Sequence, residues 1–154
     1  MLAKNLILIL YFCFLNFHAQ SKADHVLGNW IATDNSVAVE VYKLKGEYKA
    51  KVVWFDENLG SGKPMHTRRD SQNPNPQLQK RKIIGMEILD GLVYNPKSHV
   101  WENGKIYDAS SGRLWDSTAH MENGMLKVRG FWKFKWIGKT MTFKKTDQSK
   151  FTKL

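Results

Sequence analysis

Apolar and polar positions alternate along most of this chain. Val37, Val39 and Val41 interleave with Ala38, Glu40 and Tyr42, and Tyr48, Ala50, Val52 and Trp54 interleave with Lys49, Lys51 and Val53. A period of two sends successive side chains to opposite faces and marks half-buried strands. Lys45-Gly46 lies between these runs, where a hairpin turn belongs. Asp90-Gly91, Asn103-Gly104, Ser111-Gly112, Asn123-Gly124 and Ile137-Gly138 read as further turns. Asn-Gly tolerates the positive φ that a type I′ turn needs at both central positions. Short strands punctuated this way describe a meander. A sheet of about eight or nine such strands closes on itself and loses its edges. The expected fold is therefore all-β, a single antiparallel up-and-down β-barrel.

The Asn123-Gly124 turn also sets a register. With two turn residues, Glu122 opposes Met125, Met121 opposes Leu126, Ala119 opposes Val128 and Trp115 opposes Trp132. The face with Trp115, Ser117, Ala119, Met121, Leu126, Val128, Gly130 and Trp132 should meet the core. The face with Asp116, Thr118, His120, Lys127, Arg129 and Phe131 should meet water, with Asp116 and Arg129 as diagonal neighbours able to pair.

Two segments break the alternation. From Gly60 to Lys82 the chain carries Lys63, Arg68, Arg69, Lys80, Arg81 and Lys82 against Asp70, and Asn73-Pro74-Asn75-Pro76 forces turns. A structureless run of this length inside a domain is functional or disordered. At the N-terminus, Lys4 precedes an apolar run from Leu6 to Leu15, and Ala19-Gln20-Ser21 supplies a small-x-small cleavage site. That order is a secretory signal peptide over residues 1–20, cut between Ala19 and Ala23 and too short to span a membrane. A barrel domain over residues 24–146 and a polar tail over 147–154 follow. The only cysteine, Cys13, falls within the signal segment, behind residues too bulky for a lipobox, so the processed chain has neither disulfide nor thiolate chemistry. The expected location is secreted or periplasmic.

The net charge of +10, from 24 Lys and Arg against 14 Asp and Glu, takes its meaning from export. Outside the cytoplasm an anionic glycan or membrane surface replaces nucleic acid as the natural partner, unless the excess lysine simply keeps the surface solvated.

Gly28-Asn29-Trp30 opens the first strand as a Gly-x-Trp motif. Further along come Asp70-x-x-Asn73-Pro74, Arg81, Gly85-Met86-Glu87-Ile88-Leu89, Trp101-x-x-Gly104-x-Ile106-Tyr107-Asp108, Ser111-Gly112, Leu126-x-Val128-Arg129-Gly130-Phe131 and Gly138-x-Thr140. In this order the chain resembles the domain of unknown function 2147 family of small exported bacterial proteins, from about Gly28 to Lys145. The resemblance implies a lipocalin-like barrel and names no activity. Here Asp108-Ala109 replaces that family's Asp-Pro, and Phe143-Lys144-Lys145 replaces its closing Trp-x-Arg. Within such a barrel Trp30 would plug one end, with Lys145 or Lys144 lying over the indole and its head in water.

Trp54, Trp115, Trp132 and Trp136 are the candidate lining of a pocket for a small apolar or amphipathic ligand. Asp70, Asn73, Arg81, Asp108 and Arg129 form a candidate polar cluster, read either as a site or as turn caps and loop ties. His66, His99 and His120 lack metal-ligand spacing, and no nucleophile elbow or phosphate loop occurs, so neither metal nor cofactor is expected. The expected function is ligand binding by a monomer. Alternatives are a surface-binding module for anionic glycan or lipid headgroups through the basic 63–82 loop, and an enzyme with a polar site around Asp70 and Asp108. Intact mass of the exported protein should place its first residue between Gln20 and Asp24, and a mature chain that begins at Met1 would refute the signal reading.

Overall fold

The computed structural model describes residues 21–151. Residues 1–20, where the signal segment is expected, with Cys13, Ala19 and Gln20, and the last tail residues 152–154 lie outside the described residues. Eight antiparallel strands close into one barrel in chain order: β1 (Gly28–Ala32), β2 (Val37–Leu44), β3 (Glu47–Phe55), β4 (Glu87–Asn95), β5 (Val100–Asp108), β6 (Arg113–Glu122), β7 (Met125–Phe131) and β8 (Gly138–Lys145). The β2–β3 and β6–β7 hairpins turn at Lys45-Gly46 and Asn123-Gly124, all four residues at positive φ. The register of the second follows the sequence pattern, with Glu122 opposite Met125 and Ala119 opposite Val128.

Not every Gly-containing pair is a turn. Asp90-Gly91 lies inside β4 and Asn103-Gly104 inside β5, and at each the pairing slips by one residue. The β4–β5 connection is instead at residues 96–99. Bulges of this kind bend a strand and increase its twist, which helps a sheet to curl into a small barrel. A third bulge moves Trp54. Val39 pairs with Val52 but Ala38 pairs with Trp54, leaving Val53 as the extra residue. The extra residue reverses the alternation, so Trp54 lies outside the barrel against the Ile31, Ala38 and Phe151 cluster. Phe151 belongs to a short helix, α1 (Gln148–Phe151), and is buried there, so this part of the polar tail is docked rather than loose. At the end of β7, Phe131 is buried and Trp132 is exposed, the reverse of the alternation, because the strand ends at Phe131. Asp116 pairs with Lys105 instead of Arg129.

Strands running alternately up and down divide the connections between two ends. The turns at 45–46, 96–99 and 123–124 share one end, the floor, with the start of β1. Segments 33–36, 56–86, 109–112 and 132–137 share the other, the rim. A 3-10 helix (Lys22–Val26) crosses the floor, and Val26, Trp30, Tyr48, Leu92 and Trp101 fill it. Tyr48 meets Trp101 edge-on at 6.2 Å. The Tyr48 hydroxyl donates to Asp24 Oδ1 at 2.6 Å, and Lys43 Nζ lies 3.0 Å from the same oxygen. Together with a hydrogen bond from Ser21, these hold the Asp24 carboxyl down at about 2.

Closure is made by β1 against β8, with Trp30 opposite Lys145 and Ala32 opposite Phe143. The Trp30 indole donates from Nε1 to the Val26 carbonyl at 2.7 Å. Lys145 Nζ stands 4.5 Å from the centroid of that ring. Lys145 stays exposed, as the sequence suggested, but its head also donates to the Leu27 carbonyl, and partial burial lowers its pKa. Gly28, at φ +108°, lets the chain turn into β1, and a Cβ there would stand 3.4 Å from the same ammonium. The outer face is polar, with Lys51 paired to Glu40, Lys49 to Asp90 and Lys127 to Glu122. Polar outside and apolar inside is the opposite of a membrane-spanning barrel.

Denaturant melts should show Trp30→Ala losing about 3–5 kcal/mol, as for a truncated buried aromatic. Lys145→Met, which keeps the stem but not the charge, should lose about 0.5–1 kcal/mol. A loss below about 1 kcal/mol for Trp30→Ala would mean that Trp30 is not the plug.

Candidate functional site

The inward side chains differ between the two ends of the barrel on several strands. Near the floor they are Trp30, Tyr48 and Trp101; toward the rim they are Val37, Val39, Val41, Ala50, Val128 and Gly130. Small side chains in a ring of fixed radius leave space, and a cavity of about 460 Å³ remains in the upper half. Its walls include Ile88, Leu89, Ile106, Trp115, Met141 and Phe143, and Asp108 and Lys139 bring charge to its lining. The filled floor makes the cavity blind at one end, while the rim loops surround the other.

The four candidate tryptophans separate. Trp115 lines the cavity. Trp132 meets Trp115 edge-on at 6.1 Å from the rim, at 51% exposure, and Trp136 is 75% exposed. Trp54 is outside, as described above. The remaining walls come from the inward positions of β2, β7 and β8, which the alternation in the sequence already marks but which carry no distinctive chemistry.

The candidate polar cluster also divides. Asp70 is fully buried, and both of its oxygens are used. Asn73 Nδ2 donates to Oδ2 at 2.7 Å, Arg81 Nε donates to Oδ2 at 2.8 Å, and the Tyr107 hydroxyl donates to Oδ1 at 2.7 Å. The Arg81 guanidinium also lies over the Tyr107 ring at 5.3 Å. Tyr107, part of the sequence motif but not of the candidate cluster, is thus the strand anchor of this group. Gln72 packs its carbonyl against Gly112 so closely that a Cβ there would stand 2.0 Å away, which ties the long loop to the β5–β6 turn. A carboxylate engaged by donors at both oxygens clamps the 56–86 loop to β5.

Asp108 is on the other face of β5 and lines the cavity. Burial would raise its pKa, but hydrogen bonds from Ser110 and Ser111 outweigh burial and hold it below the usual carboxylate value. Those bonds, at 2.6 Å from each serine hydroxyl, also cap its own turn. Arg129 stands apart from both, donating to the Lys135 carbonyl at 2.6 Å and to Thr140 Oγ1 at 3.1 Å. It braces the β7–β8 connection.

The basic 63–82 loop uses part of its charge internally. Arg68 donates to the carbonyls of Lys63 and Glu57 and covers the Phe55 ring, and Arg69 donates to the His66 carbonyl. His66 lies in this loop near the rim and His99 in a floor turn, where its Nδ1 bonds the Tyr94 hydroxyl. Among the described residues no three His, Cys, Asp or Glu side chains gather where a metal ion could be held.

Residues 28–145 match the family described as "Uncharacterized protein conserved in bacteria (DUF2147)". The chain belongs to this family. No curated protein matches it in sequence. Among solved structures it is similar to one titled "Protein HP1028 from the human pathogen Helicobacter pylori belongs to the lipocalin family", at 19% identity and a TM-score of 0.67, with 83% of this chain and 87% of that chain covered. The likeness extends the barrel reading to a lipocalin-like fold.

In this DUF2147 chain, many of the residues that carried the family resemblance are structural fasteners. Gly28 and Trp30 close the floor, while Asp70, Asn73, Arg81, Tyr107 and Gly112 hold the long loop. Urea melts should show Asp70→Ala losing about 2–4 kcal/mol, since it strands a partly buried arginine and two further donors. Tyr107→Phe should lose about 1.5–3 kcal/mol. An Asp70→Ala change within about 0.5 kcal/mol of wild type would dismiss the clamp.

Proposed function

We propose that this protein is exported and binds one small apolar or amphipathic molecule inside its barrel, with the apolar part in the cavity and any polar head at the rim. The observation that carries the reading is the cavity itself, about 460 Å³ with almost wholly apolar walls and a filled floor. That volume lies within the about 300–1,000 Å³ range of small-molecule sites. An eight-stranded barrel is just wide enough for side chains to fill it or for one small ligand to enter, as in lipocalins. Lys139 and Asp108 give the lining two charges of opposite sign. The Asp108 carboxylate is occupied by its serine donors, so Lys139 is the group that would meet an anionic head. The signal-like N-terminus supports export, where such a carrier would meet lipidic molecules.

The readings based on the long loop and on a polar catalytic site draw less support. Arg68, Arg69 and Arg81 are tied to the loop's own carbonyls and to Asp70, and Asp70 and Asp108 serve separate structural roles on opposite faces of β5.

A fluorescent long-chain fatty acid should bind saturably to the purified protein. Val128→Phe combined with Met141→Phe should weaken it at least about tenfold by filling the cavity, a loss of about 1.4 kcal/mol. The melting midpoint should hold or rise, because the added rings enter empty space. Unchanged affinity in the filled variant would contradict binding within the barrel.

A further inference from the structure

The rim carries a feature that cavity binding does not require. From Trp132 to Lys139 the chain reads Trp-Lys-Phe-Lys-Trp-Ile-Gly-Lys, three aromatics alternating with lysines and no acid. All of these residues are exposed: Phe134 is 49%, Ile137 50%, Trp132 51% and Trp136 75%. Leu114, at 53%, lies beside them, since it lines a shallow groove with Trp132 and Ile137. Phe134 and Trp136 stack at 4.6 Å with their rings 9° from parallel. A contiguous exposed apolar patch on a water-facing barrel marks an interaction site far more often than scattered single residues do.

The patch is held in place. Trp132 N donates to the Ile137 carbonyl and Ile137 N to the Phe134 carbonyl, each at 2.9 Å. From the outer face, Arg129 pulls on the Lys135 carbonyl at 2.6 Å. The connection is braced outward beside a cavity with room to spare, so its aromatics have not collapsed into the nearest apolar space.

We propose that the β7–β8 connection is a docking tip for an anionic lipid bilayer, setting the cavity mouth against the membrane surface. Tryptophan concentrates at the membrane–water interface, where its ring meets acyl chains and its N–H meets headgroups and water. Lys133 and Lys135 supply the second signal that stable surface attachment needs, each contributing about fivefold in partition near an anionic surface. A second copy of the chain fits the tip poorly, because two tips in contact would bring their lysines together on chains of net charge +10. The outward ion pairs on the strands keep the barrel on the membrane and out of it. The inference does not depend on what the cavity holds.

Co-sedimentation with vesicles tests it. The purified protein should sediment with vesicles of equimolar phosphatidylcholine and phosphatidylglycerol and at least about tenfold less with phosphatidylcholine alone. Phe134→Ala combined with Trp136→Ala should cut binding to the mixed vesicles at least about tenfold, with an unchanged melting midpoint, since both rings are exposed. Lys133→Gln combined with Lys135→Gln should cut it about 25-fold, whereas Lys45→Gln with Lys97→Gln, an equal charge change at the floor end, should leave it nearly unaltered. Equal loss from both lysine pairs, no loss from the aromatic pair, or no vesicle binding would overturn the proposal. So would a dimer in the absence of vesicles that Trp136→Ala converts to monomer, because the tip would then be a self-interface.

Discussion

The buried Trp30 indole, donating to the Val26 carbonyl beneath the Lys145 ammonium, is the contact on which the rest of this barrel depends. It joins the first strand, the last strand and the N-terminal 3-10 helix at one point. Closure there removes the only two free sheet edges that a meander leaves. It also seals the floor, because Trp30 packs in the same cluster as Tyr48, Leu92 and Trp101. A sealed floor turns the space above it into a blind cavity instead of a channel. The small inward residues Val37, Val39, Val41, Ala50, Val128 and Gly130 then leave open the space above the floor in which that cavity lies.

Much of this architecture was readable in the residues. The period of two gave the strands, Lys45-Gly46 and Asn123-Gly124 gave two hairpins, and Gly28-x-Trp30 with a terminal lysine gave the closing pair. What misled was local and has a physical cause. Asp90-Gly91 and Asn103-Gly104 look like turns because bulges recruit the same positive-φ residues that turns do. Trp54 looks inward because alternation cannot register the single extra residue at Val53. Trp132 looks inward because nothing in the pattern says that β7 ends at Phe131.

The candidate site was less legible than the fold. A cavity is defined by what side chains fail to fill, and ordinary residues such as Val39, Val128 and Met141 form its walls. Distinctive residues drew attention elsewhere. Asp70, Asn73 and Arg81 do converge, yet they converge on Tyr107, around a carboxylate whose oxygens are both engaged by donors. Burying a carboxylate requires this degree of satisfaction, and the result fastens a long loop to the barrel. If export, cavity binding and rim docking hold as proposed, the protein would be a carrier that loads where its ligand dissolves.

The central claim, that the barrel interior receives the ligand, is tested most directly by methyl-detected NMR of the protein with dodecanoate. Intermolecular contacts from the acyl chain to the methyl groups of Val39, Ile106, Val128 and Met141, all of which line the cavity, are the predicted result. Contacts confined to the outer cluster of Ile31, Ala38 and Val53, or to Leu114 on the surface, with none inside, would contradict it.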